Sequence, residues 1–174
     1  MWMCSYLCCK NQYMEPSEIF VQAALKAWNI QLNRADSFFA AVSDEGLQKE
    51  IAPGKNRIIY LLGHLVAVND GMITLFGLGE RSYAHLDEAF VKNPDKSNLP
   101  MPDAATLRED WNKAKSILTE GFASMSPADW MSKHTAMTDE DFKKEPSRNK
   151  LSVLLNRTNH MAYHIGQLML VKGQ

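Results

Sequence analysis

The fold turns on LSVLLNRTNHMAYHIGQLM, residues 151–169. Leu151, Leu154, Leu155, Thr158, Ala162, Ile165, Leu168 and Met169 recur at i, i+3, i+4 and i+7. That period predicts one amphipathic helix, starting near Asn149, with an apolar stripe against a core. Two histidines, His160 and His164, border the stripe four residues apart. At that spacing two side chains rise from one helix face with Cβ atoms roughly 6 Å apart. Either they are core histidines that have found hydrogen-bond partners, or they hold something between them.

Outward from this helix the same period recurs three times. Pro16 and Ser17 open a first helix, proline suiting the first turn, and the segment carries Phe20, Ala24, Ala27, Ile30, Arg34, Phe38 and Ala41 at three-to-four spacing before ending near Ser43–Gly46. A link with a Pro53-Gly54 turn follows. Asn56 is then read as the N-cap of a second helix with Ile58, Leu61, Leu65, Val68 and Met72 on its stripe. Residues 77–102 read as a long connection with a short helix near Ser82–Phe90. Asp103 caps a third helix through Leu107, Trp111, Ala114, Ile117, Leu118 and Phe122; MSPADW adds a short turn, and the polar MTDEDFKKEPSRN leads into the fourth helix. Trp28 and Trp111 are expected in the core. No segment alternates with period two. Four amphipathic helices of about 20 residues, each roughly 30 Å long, predict an all-α four-helix bundle in one domain over residues 14–174.

Composition narrows the function classes. Of 174 residues, 45% are hydrophobic and 22% charged, and 19 basic against 20 acidic side chains leave a net charge of −1. No basic stripe marks a nucleic-acid partner. No apolar run is read as reaching the roughly 20 residues of a membrane span, and no basic-then-apolar leader marks secretion, so the cytoplasm is the expected location. Cys4, Cys8 and Cys9 all lie near the start. Their odd number argues against a closed disulfide framework, and a soft-metal site there lacks a fourth ligand. Residues 1–13 are read as a disordered leader, with Met14 a sensible start.

Five histidines remain: His64, His85, His134, His160 and His164. His85 and His134 sit in polar segments and are read as solvated. His64 lies mid-helix in YLLGHLVAVNDGM, beside Leu61, Leu65 and Val68. Imidazole nitrogens of His160 and His164 can converge on one cation at about 2.0–2.1 Å, and His64 is the natural third ligand from a neighbouring helix. Three nitrogens leave coordination positions open, as catalytic sites do and structural zinc sites do not. Asn156 and Gln167 are candidates to orient a ring through its second nitrogen. Tyr163 is read as packing against the next helix. Other arrangements fall away. Met161 stands where a zinc protease of the His-Glu-x-x-His type needs its glutamate, no Glu lies three residues before any histidine as in di-iron bundles, and there is neither a nucleophile elbow nor a glycine-rich phosphate loop.

YLLGHLVAVNDGM on the second helix together with NHMAYHIGQLMLVKG on the fourth resembles the DinB-like superfamily, and the likeness extends more loosely from Pro16 to the C-terminus. The resemblance implies an up-down-down-up bundle with a long second-to-third connection. It implies one divalent metal ion on His64, His160 and His164, and a homodimer. It also implies thiol-dependent transferases or isomerases that use a low-molecular-weight thiol on a small-molecule substrate. Zinc or nickel is the first expectation for the ion, with iron, copper or manganese as further options, since affinity order alone does not choose. A bound cation lowers the pKa of a coordinated thiol or water, so an S-transferase or hydrolytic reaction follows if the site is open. Two other readings stay open on the residues: a non-catalytic metal-binding stress-response protein acting through a partner, and three core histidines without a metal.

Overall fold

The computed structural model describes residues 14–171. Four long helices carry it: α1 (Pro16–Ala41), α3 (Ile58–Phe76), α4 (Ala104–Ser124) and α7 (Lys150–Met169). Short helices α2 (Asp44–Leu47), α5 (Pro127–Met131) and α6 (Asp139–Lys144) lie between them. Among the described residues no β-strand forms; there are two isolated bridges, Glu50 with Arg57 and Lys133 with Asn149. Helix α1 packs on α7, α3 packs on α4, and α3 meets α7, so the structure is an all-α bundle. Its interior holds Trp28 and Trp111, as expected, and also Trp130. Trp28 and Trp130 pack edge-on or tilted against Phe122 at 6.0 and 5.1 Å between centroids, a geometry aromatic rings favour.

Helix α3 is buried nearly all round. Contrary to the sequence reading, it is long and apolar enough by composition to span a bilayer, but most of it is buried inside the bundle. A helix that is apolar on every side is what the centre of a bundle requires.

The interior stripes differ from the sequence reading in three helices; in α4 the difference is confined to Ile117, which is exposed. In α1 the buried positions are Val21, Ala24, Trp28, Leu32, Ala35, Phe38 and Phe39, while Phe20 and Ile30 are exposed. The stripe is therefore rotated, mostly by one residue, to bring Trp28 inward. In α7 the buried positions are Leu154, Thr158, Met161, Ile165 and Leu168, with Leu155 and Met169 exposed. A stripe one residue wide cannot face both Leu154 and Leu155 into the same interior.

Local signals set most boundaries. Ser43, Asp103, Ser126, Thr138 and Asn149 each accept a backbone N–H three residues on, capping α2, α4, α5, α6 and α7. Helix α3 departs from this. Its boundary residue is Arg57, not Asn56, and no local side chain caps it. Asp95, 38 residues away, accepts from the Arg57 backbone N–H at 2.7 Å and from its guanidinium at 2.6 Å. The fixing charge is supplied by the long connection.

That connection carries no α-helix over Ser82–Phe90. It forms a 3₁₀ turn at Ala84–Leu86 and a π-helical turn at Glu88–Lys92. Asp70, fully buried on α3, anchors it by accepting from Arg81 Nε at 2.9 Å and from the backbone N–H groups of Ser82 and Tyr83 at 2.8 and 3.1 Å. A buried carboxylate needs such partners to offset its lost hydration.

A three-histidine cluster beside an open cleft

The anchored connection reaches α3 at Gly63. A Cβ there would lie 2.3 Å from the Phe90 ring, so only glycine lets the π-helical turn press this close. Phe90 lies within the last turn of its element, where carbonyls lack an intrahelical N–H. Its oxygen instead takes the Nδ1–H of His64 at 2.7 Å. Tyr60, one turn before His64, stacks on the imidazole and donates its hydroxyl proton to Asn93 O at 2.7 Å. The Gly-His pair of YLLGHL thus has a physical division of labour: the glycine admits Phe90, and Phe90 orients the histidine.

The second half of the cluster comes from α7. Arg157, His160, His164 and Gln167 each precede a buried position, namely Thr158, Met161, Ile165 and Leu168, so they form a row along one flank of the interior stripe. The flank faces α3. His160 Nε2 lies 3.1 Å from His64 Nε2 and 3.1 Å from His164 Nε2. His164 Nδ1 donates to Gln167 Oε1 at 2.9 Å, and the Gln167 amide donates on to the Tyr163 hydroxyl at 3.1 Å.

These partners fix where the lone pairs point. A backbone carbonyl and an amide oxygen accept only, so Nδ1 of His64 and of His164 carries the proton and both Nε2 atoms are bare. If His160 Nε2 were protonated it would point its one N–H at two lone pairs; its buried Nδ1 has no partner among the described residues in either tautomer. A single cation satisfies all three lone pairs. Two nitrogens at about 2.0–2.1 Å from one ion, subtending 90° to 109°, lie about 2.9–3.4 Å apart, and the two 3.1 Å separations fall in that range. The trio can hold a metal ion.

Electrostatics favour the ligand form. Burial lowers the pKa of His64, more than the Phe90 carbonyl raises it, and the charge of Arg157 lowers it further. Burial and then the neighbouring His164, His64 and Arg157 bring His160 down to about 4. Burial also lowers His164, against a rise from Gln167. All three are neutral at pH 7, as metal ligation requires.

The remaining candidates separate cleanly. Asn156 is exposed and makes no hydrogen bond to any of the three rings, whereas Gln167 does. Tyr163, read as packing against the next helix, is 63% exposed; its ring stands edge-on to His164 at 5.1 Å between centroids. His85 is exposed, as expected. His134, read as solvated, is half-buried with its Nδ1 sealed from water and its pKa lowered by burial. The cysteines and the leader reading over residues 1–13 lie outside the described residues.

A cleft of about 490 Å³ opens beside His64 and His160. Its floor follows α3 from His64 through Ala67, Val68 and Gly71 to Leu75, about 16 Å of helix. Arg157, the connection (Arg81, Asp87, Val91) and Thr135–Ala136 form its walls. The hydroxyls on the lining are committed: Thr74 donates to Gly79 O at 3.2 Å and Thr135 to Thr74 O at 2.8 Å. The sequence reading missed this cleft and Arg157 alike; the position of Arg157, three residues before His160 on the same flank, was the available signal.

The sequence profile of the DinB superfamily matches residues 27–168, a span that includes all three histidines. A search of curated proteins returns no match.

Proposed function

The chain belongs to the DinB superfamily, and on that premise we propose that it is a metal-dependent enzyme whose single divalent ion, zinc or nickel in first place, sits on His64, His160 and His164 and whose reaction uses a low-molecular-weight thiol or water. The observation that carries this reading is the convergence of three Nε2 atoms at an open cleft, two of them with tautomers set by oxygen acceptors. Such an ion, when bound, supplies Lewis acidity and lowers the pKa of a thiol or water brought to it.

The chain's own groups do the rest. Phe90 O and Gln167 Oε1 hold two rings in place, so little ordering remains when a ligand arrives. The apolar stretch Ala67–Val68 beside His64 excludes water from the body of a bound molecule. In this reading the nucleophile comes with the substrate: among the described residues the lining holds no thiol, and both threonine hydroxyls already donate to carbonyls. The volume suits a small molecule. The cleft beside the histidines supports this reading over a non-catalytic metal-binding protein acting through a partner, for which an enclosed ion suffices.

The test is metal analysis with thiol conjugation to an electrophile such as monochlorobimane. One nickel or zinc ion per chain is expected, with a rise in Tm on adding it. His160→Ala is expected to lose both the ion and the rate. Gln167→Ala is expected to weaken metal affinity by about 10–100-fold. Equal conjugation by metal-free protein overturns the reading.

A further inference from the structure

Arg157 stands one turn before His160 and lines the cleft that opens at His64 and His160. It is only partly exposed, yet among the described residues no carboxylate lies within ion-pair distance of it, and it makes no hydrogen bond there. Burial pulls its pKa down with nothing to offset it. The contrast lies in the same cleft. Arg81 is held by Asp70 at 2.9 Å and by both oxygens of Asp87 at 2.6 and 2.7 Å. Asp87 is therefore fully engaged with another arginine. A guanidinium drawn from water without a counter-charge is costly, and a fold carries such a group at low cost only where an anion is to be met.

We propose that Arg157 binds the carboxylate of a small-molecule ligand whose other end reaches the three-histidine cluster. A guanidinium presents a planar fork that matches two carboxylate oxygens. The charge count favours a monoanionic group: among the described residues one cation without a carboxylate partner lines the cleft, and a phosphate dianion would set a second negative charge near Asp87. The apolar floor at Ala67, Val68 and Leu75 would take the carbon chain. This assignment names the substrate class for the reading given above and rests on it in one respect only, that the far end of the ligand meets a metal.

The experiment compares 3-mercaptopropionate with its methyl ester on cobalt-loaded protein, following the sulfur-to-cobalt absorption. The acid is expected to bind roughly tenfold or more tightly than the ester, as a charge-assisted bond to a partly buried arginine gives. Arg157→Gln, loaded with cobalt in the same way, is expected to bring the ratio close to one. A wild-type ratio near one, which needs no variant to measure, overturns the proposal; so does an Arg157→Gln variant that keeps the preference. If the protein takes up no cobalt, the metal reading fails separately and Arg157 is then tested by NMR on metal-free protein. The Nε–Hε signal that Arg157→Gln removes is expected to shift saturably with succinate. A signal that does not move overturns the proposal.

Discussion

Arg81 and Arg157 line the same cleft from different elements, and the fold treats them differently. Arg81 is bound by two carboxylates, one of them fully buried, and its pKa is driven upward by hydrogen bonds to Asp87 and Asp70. Arg157 has no carboxylate partner among the described residues, and its pKa is driven downward by burial. The first is part of the framework, pinning the long connection to α3 so that Phe90 can orient His64. The second contributes no contact of that kind. Position in a cleft does not distinguish a structural arginine from a ligand-binding one; the state of its charge does.

The largest expected effect tests the structural half. Asp70→Ala removes the acceptor for Arg81, Ser82 and Tyr83 at once and leaves two backbone donors without partners. Deleting one side of a buried pair costs about 3–5 kcal/mol. Arg81 keeps Asp87, so the lower end, about 3 kcal/mol, is expected, read as a shift in urea midpoint. A loss below about 1 kcal/mol would mean that the connection is held by packing at Gly63 and Phe90, with the ion pair incidental.

A smaller effect distinguishes the two arginines by pH. Folded His64, His160 and His164 all have lowered pKa values, His160 about 4. The unfolded chain therefore takes up protons first as pH falls below about 6.5, and stability is lost from there down to the folded pKa values. Above that window these groups contribute no slope. The charge of Arg157 is among the causes of the lowering at His64 and His160. In chelator-treated protein, Arg157→Gln is expected to flatten the fall in Tm between pH 7 and pH 5 in part, because burial, the larger cause, is untouched. Arg81→Gln is expected to lower Tm throughout and leave the slope alone. Parallel curves for wild type and Arg157→Gln would show that the charge does not reach the cluster.

How far the sequence carried the reading follows the same division between local and distant causes. The four long helices and the starts at Asp103, MSPADW and Asn149 were legible because period and cap chemistry act within a few residues of themselves, whereas the short helices capped by Ser43 and Thr138 were read as links. The three histidines were legible because two share a helix face and the third has the neighbouring helix to itself. The cap of α3 was not, since Asp95 acts across 38 residues. Nor was the conversion of residues 82–92 to 3₁₀ and π turns, which answers to Asp70 and to the gap at Gly63. Phe20 and Leu155 were placed inward because an apolar residue at the right spacing gives no sign of which neighbour helix is missing. Arg157 left one signal in the sequence, its place three residues before His160, but its lack of a carboxylate partner among the described residues is a property of the folded structure.

The smallest expected effect is the sharpest test of the comparison. Arg157→Gln at pH 7, without metal or ligand, removes a charge that no described residue pairs with. What is lost is the packing of its aliphatic stem, most of which glutamine replaces. What is gained is relief from holding a partly buried charge without a counter-ion. The two oppose each other, so the change in unfolding free energy is expected within about 0.5 kcal/mol of wild type, the range of substitutions that break no interaction. A loss of 2 kcal/mol or more would give Arg157 a structural partner and make it the counterpart of Arg81. A near-zero change together with a lost carboxylate preference separates binding from folding at this position.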